Sequence, residues 1–140
     1  MSNYTIFSDG AYSPTLDQGG VGFVILKDDV KIFSFNKMFR HTTNQRMEIL
    51  AMIIALESIQ SPSNIKLFTD SMYLVGTITK GWKRKCNLDL WKRLDVAISK
   101  HLTVEVQWVK GHENNAFNNE ADELAVNASK QYYGSKNNEV

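Results

Sequence analysis

A single cysteine, Cys86, stands in the 140-residue chain, so no internal disulfide can form and a reducing compartment suits it. Charge of neither sign predominates. Lys plus Arg number 16 and Asp plus Glu 15, and a formal net charge of +1 names no class of partner by itself. Long hydrophobic runs are missing too. The longest strongly apolar stretch, ILAMIIAL at 49–56, is far too short to span a bilayer. Met-Ser-Asn-Tyr at the N-terminus lacks the basic and apolar regions of a secretory signal, so a cytoplasmic protein without membrane contact is expected. No glycine-rich loop follows the first strand-like run, which argues against a phosphate-cradling nucleotide-binding domain.

What is present describes a globular domain. Hydrophobic residues make up 43% and aromatics 11%, too much apolar surface for a disordered chain. A chain of this length suits one domain and buries roughly two thirds of its extended-chain surface. There is no internal repeat and no linker. The domain is expected over 1–133, with a frayed polar tail, GSKNNEV, at 134–140.

Strand-like runs fall at about 4–9, 20–27 and 30–37, and further strands at 64–69 and 103–109. A helix over about 44–60 follows from Met47, Leu50, Ala51, Ile54 and Ala55 at helical spacing, with Thr43 or Asn44 as N-cap and Pro62 just past its end. Further helices are expected from Ser71 to Thr79, capped by Asp70 or Ser71, from Leu88 to about His101, and from Asn118 to Gln131.

Two of the strands end alike. Tyr4–Phe7 runs into Ser8, Asp9 and Gly10; Ile65–Phe68 runs into Thr69, Asp70 and Ser71. Short connections make the first three strands an antiparallel meander, and the helix after the third is a crossover, so the fourth runs parallel to the first and third. If the fourth lies beside the first, Asp9 and Asp70 reach the same edge of the sheet. Neighbouring strands are about 4.8 Å apart, and two carboxylates that close raise one another's pKa unless a cation sits between them. Pattern alone leaves open whether the fourth strand docks on the first or the third.

Three further stretches matter. TTNQRMEILA places Glu48 in the first turn of the first helix, NNEADELA places Asp122 in the first turns of the last, and WVKGH places His112 in a loop after the last strand. Together with FSDGAYS and LFTDSMY they resemble type 1 ribonuclease H, from Tyr4 to about Ala128 and in the right order. The resemblance implies an α/β fold, a five-stranded mixed sheet flanked by helices, with a three-strand antiparallel meander plus two parallel strands and the first strand beside the fourth. It implies that Asp9, Glu48, Asp70 and Asp122 bind two divalent ions, magnesium or manganese in its place. Hard cations of this kind take carboxylate oxygens and keep waters for substrate. A pair about 3.5–4 Å apart can clamp both oxygens of an in-line phosphoryl displacement. The implied activity is endonucleolytic hydrolysis of the RNA strand of an RNA/DNA hybrid, leaving 5′-phosphate ends, with His112 assisting proton transfer or product release. His41 and His101 match nothing in the family.

Each acid also has a plain structural reading. Asp70 can cap a helix, Glu48 and Asp122 can complement helix dipoles, and Asp9 can serve a turn with Gly10. Jointly these readings leave Gly10, Arg46, Met47, Ser71 and Asn119 unexplained. A non-catalytic nucleic-acid module of the same fold has no use for carboxylates that repel phosphate, and a resolvase or exonuclease would space its acids differently.

On the substrate side, the resemblance implies that Gly10, Ala11, Glu48 and Ser71 face the ribose strand, where the 2′-hydroxyl tells RNA from DNA. Asn44 and Gln45 would reach base edges in the minor groove, Thr43 would meet a phosphate of the DNA strand, and Asn119 would join the substrate side. TKGWKRKC, 79–86, clusters Lys80, Lys83, Arg84 and Lys85 around Trp82, a composition suited to a phosphate backbone and a sugar or base face. Many family members carry an additional basic helix and loop here. Only about eight residues separate Thr79 from Leu88, so that protrusion is expected to be absent. A monomer is expected.

Overall fold

The structure, a computed structural model, describes residues 2–110 and 115–131. The expected tail at 134–140 and His112 lie outside the described residues. The elements are β1 (Asn3–Ser13), β2 (Gln18–Lys27), β3 (Val30–Arg40), α1 (Asn44–Ser58), β4 (Asn64–Thr69), α2 (Met72–Thr79), α3 (Leu88–Ser99), β5 (Thr103–Trp108) and α4 (Ala116–Ser129). No helix among the described residues is long and apolar enough to cross a membrane.

One five-stranded sheet runs in the order β3-β2-β1-β4-β5. β1 pairs antiparallel with β2, and β2 with β3; β1 and β4, and β4 and β5, are parallel. The open question of docking is thereby answered: β4 lies on β1, Tyr4 opposite Ile65 and Ile6 opposite Leu67. Alternation sorts the side chains. Ile6, Val21, Phe23, Ile25, Ile65 and Leu67 join the larger core under α1 and α3, while Phe7, Val24 and Leu26 meet Ala121 of α4 on the other face.

Three expectations need correction. Asp9 does not end a strand. β1 continues to Ser13, because its antiparallel partner carries on to Gln18, and the turn comes only at 14–17. The helix α1 is not buried along a single stripe: Ile49, Met52 and Ile53 are buried as well as Met47, Leu50, Ala51 and Ala55, whereas Ile54 is only half-buried. α3 packs on the side of α1 away from the sheet, so a stripe of period 3.6 widens until most of the helix is inside. And Asp70 does not cap α2. The Ser71 hydroxyl accepts from Leu74 N–H at 3.2 Å, as Thr43 Oγ1 accepts from Arg46 N–H at 3.1 Å at the start of α1. Shifts at other ends are small. α3 stops at Ser99, and α4 begins at Ala116 because Asn115, not a later Asn, takes the cap, accepting from Asn118 N–H at 2.9 Å.

Candidate active site

Asp9 lies where the sheet changes width. The β1–β4 ladder ends at Phe7 opposite Phe68, and β4 stops at Thr69, while β1 runs on beside β2. Beyond that point, among the described residues, no strand pairs with β1 on the β4 side. Extending the ladder by two residues sets Asp70 across from Asp9. Close backbone contacts bring the helices in. Gly10 lies against α1, and a Cβ there would overlap Met47 C and Glu48 N. Gly22, the cross-strand partner of Asp9, lies under α4, where a Cβ would come within 2.6 Å of both Ala121 O and Ala125 N. Only glycine permits both approaches. One sets Glu48 beside Asp9 from the α1 face; the other brings Asp122 down from the α4 face.

Three carboxylates therefore meet. Oxygens of Asp9, Glu48 and Asp70 all lie within 4.8 Å of one another, and the Asp122 carboxyl hydrogen-bonds that of Asp9. Asp9 is buried; Glu48, Asp70 and Asp122 are half-buried. Charge is costly in such a place. Burial, then the charge of Asp70 and the contact with Asp122, push the Asp9 carboxyl up to about 9, against a single opposing hydrogen bond from Gly10 N–H at 2.8 Å. Burial also raises Glu48, with hydrogen bonds from Ser71 and Asn44 pulling it back and the Asp70 charge adding to the rise. All-oxygen anionic donors, too close to be ionised together, fit a hard divalent cation.

The family described as RNase H matches residues 1–130. The chain belongs to the ribonuclease H family. It is similar to the ribonuclease H of Trichodesmium erythraeum, 40% identical over 141 aligned positions that cover 91% of this chain and 88% of that one. It is 38% identical to the ribonuclease HI of Synechocystis, with the same coverage. Among solved structures, the N-terminal RNase H domain of a Mycobacterium tuberculosis protein, fused to maltose-binding protein, aligns with a TM-score of 0.81. That alignment covers 92% of this chain and 94% of the other at 21% identity, and bears on the fold alone. The chain is thus a type 1 member, an enzyme of the ribonuclease H class and a nuclease.

Of the ribonuclease H residues expected on the substrate side, Ser71 and Asn44 are drawn into the acid site. The Ser71 hydroxyl that caps α2 also hydrogen-bonds Glu48, and Asn44 Nδ2 donates to Glu48 Oε2 at 3.2 Å. Thr43 is exposed at the α1 N-terminus. Asn119 is exposed on α4, one turn before Asp122. Gly10 is covered by α1, which leaves it a spacing role in addition to the backbone it offers. Gln45 belongs to another part of the surface. With Tyr73, Trp82, Lys83, Lys85 and Cys86 it lines a second cleft of about 420 Å³. No helix is found between α2 and α3, as the expected loss of the protrusion requires, and Lys80 stands exposed just past the end of α2.

Arg84 differs from its neighbours. Its guanidinium is engaged with Asp95 and Trp91 of α3, and does not line that cleft. Four contributors were not singled out from the sequence: Tyr73 in the cleft, Asp89 and Asp95 on α3, and Trp108, whose indole N–H donates to Asp70 O at 3.2 Å. The carboxylates of DLWKRLD beside a basic run were the only available signal. Their partners lie at sequence distances that no local pattern reports.

Proposed function

We propose that this ribonuclease H is an endonuclease that hydrolyses the RNA strand of RNA/DNA hybrids, with two divalent ions held by Asp9, Glu48, Asp70 and Asp122, and leaves 5′-phosphate ends. The observation that carries the reading is the gathering of the Asp9, Glu48 and Asp70 oxygens within 4.8 Å, with Asp122 on Asp9. Magnesium, or manganese in its place, supplies there a Lewis acid for the phosphate and a lowered pKa for water.

The chain's own groups do the rest. Gly10 N–H fixes one oxygen of Asp9, and Ser71 and Asn44 orient Glu48. Trp108 and the Val109 N–H, which donates to Thr69 O at 2.9 Å, anchor the backbone around Asp70. His112 follows Val109 by three positions in the sequence, and we assign it to proton transfer or product release. Ser71 and the backbone at Gly10 are assigned to the ribose strand, where a 2′-hydroxyl has donors and acceptors within reach. Thr43 at a helix N-terminus suits a phosphate of the DNA strand. Gln45 with Asn44 is assigned to the minor groove, and Lys80, Trp82, Lys83 and Lys85 to the backbone beyond it. Action as a monomer in the cytoplasm completes the reading, in keeping with the exposed thiol of Cys86.

Labelled hybrid, RNA duplex and DNA duplex are incubated with magnesium or with EDTA. Cutting of the RNA strand of the hybrid alone, in magnesium alone, is the expected result. Cutting in EDTA, or equal cutting of the three duplexes, overturns the assignment.

A further inference from the structure

We propose that Arg84 is a positioning residue and not a phosphate ligand: it pins the segment 80–87 to α3, so that Trp82, Lys83 and Lys85 are presented to one strand of the hybrid across the cleft from Gln45. The proposal rests on the hybrid-nuclease reading above and adds a division of labour within its basic cluster.

Both ends of the guanidinium are taken. Arg84 Nη1 and Nη2 donate to the two oxygens of Asp95 at 2.7 and 3.0 Å, the two-pronged geometry that arginine and carboxylate share. The carbon between them sits 4.9 Å from the centre of the Trp91 ring, and Trp91 is only 1% exposed. Two of its five N–H groups and its charge are engaged by Asp95 and it stacks on a buried indole, so a phosphate would have to compete with contacts that a free lysine does not make. Its neighbours on either side are the reverse. Lys83 and Lys85 are exposed, and among the described residues neither pairs with a carboxylate.

The segment is pinned at three places. At its start, Lys80 and Trp82 N–H groups both donate to Gly76 O, and the Trp82 ring lies flat against Gly76, where any Cβ would strike it. Arg84 holds the middle. At its end Arg46 of α1 donates to Asn87 Oδ1 at 3.2 Å and to both oxygens of Asp89 at 3.0 and 2.8 Å. Eight residues without helix or strand would otherwise lose much freedom on binding, and that entropy would be subtracted from affinity. Pinned, the segment presents an indole that is 46% exposed and two ammonium groups to the cleft. Stacking and charge of this kind suit a polynucleotide strand.

The test measures kcat, KM and the salt dependence of hybrid binding for the full chain and its variants. Arg84→Lys and the near-isosteric Asp95→Asn should each raise KM up to about fivefold, the range open to an exposed bidentate pair, with kcat within about twofold. Neither should change the slope of log affinity against log salt. Lys83→Ala and Lys85→Ala should each reduce that slope by about one. The double exchange Arg84→Asp with Asp95→Arg should recover part of the lost KM. If Arg84 instead binds phosphate, Arg84→Lys keeps KM, and Asp95→Asn lowers KM by releasing the guanidinium; either result overturns the proposal. Binding is followed by fluorescence anisotropy in EDTA. Hybrid that is bound in EDTA but still not cut once magnesium is supplied refutes the nuclease reading and leaves the positioning test standing.

Discussion

The acid cluster and the basic segment face the same substrate but are built by opposite rules. The four carboxylates come from three elements and the link between β4 and α2, and are forced together by backbone packing, with glycines at 10 and 22 admitting α1 and α4. They are buried or half-buried, so their charge is costly and one pKa climbs to about 9. The lysines of 80–87 are exposed, and ion pairs with α3 and α1, not burial, hold their segment in place. A buried anionic site has to import a counter-ion and is governed by proton and metal. An exposed cationic site needs none and is governed by salt. One side is made for chemistry and the other for grip.

Asp9→Asn tests the contrast most severely. It should lower the rate about a thousandfold or more in magnesium, since it removes an ion ligand, yet raise the melting temperature in EDTA near pH 8 by about 3–8 °C, because folding no longer has to take up the proton that keeps the buried carboxyl neutral. Full activity in this variant would sink the metal assignment. Gly10→Ala should come next, at about a hundredfold in rate, because a displaced α1 N-terminus moves Glu48. It should also lower the melting temperature, the opposite of Asp9→Asn; equal melting curves would show that the close approach is not needed.

The pH dependence of the metal-free protein runs the same way. Asp9 has its ordinary value near 3.8 when unfolded and about 9 when folded, so the folded state carries the extra proton between them. The stability that this proton confers is complete below about 4 and is lost as pH rises towards 9. Glu48 shifts in the same direction. Metal binding must displace the proton, so metal affinity should rise across that window, with proton release measurable by calorimetry in two buffers. The exposed side has the reverse sign. Arg46 holds Asp89 down at about 2, so its contribution is present above about 4 and fades as pH falls to 2. A melting temperature in EDTA that does not decline on the alkaline side would contradict the account of Asp9.

The smallest effects belong to the cleft. Trp82→Ala should raise KM about tenfold with little change in kcat, through the loss of one stacked base or sugar. Replacing Lys83, Arg84 and Lys85 together by Ala should raise KM and flatten its salt dependence, and an unchanged KM would make the segment a mere solvated loop.

The legible part of the site was the part that short motifs carry. Asp9 and Asp70 stood out because each follows an apolar run, and Glu48 because TNQRME starts a helix. The ion pairs Arg46–Asp89 and Arg84–Asp95 were not legible, since a surface arginine looks alike whether its partner is a phosphate or a carboxylate on another helix. The burial of Ile49, Met52 and Ile53 was hidden for a related reason: periodicity reports one packed face, and α3 supplies a second.

The sequence by itself determined the order of strands and helices and their approximate bounds, and narrowed each cap of α1 and α2 to two neighbouring residues, because these follow from near-neighbour spacing and turn chemistry. Only the tertiary structure decided that β4 lies on β1, that Asp9 sits inside a strand beside the end of another, and that Arg84 is turned towards α3. Those outcomes depend on contacts between residues far apart in the chain, whose energies are settled by packing and by which partner is near enough to share a hydrogen bond.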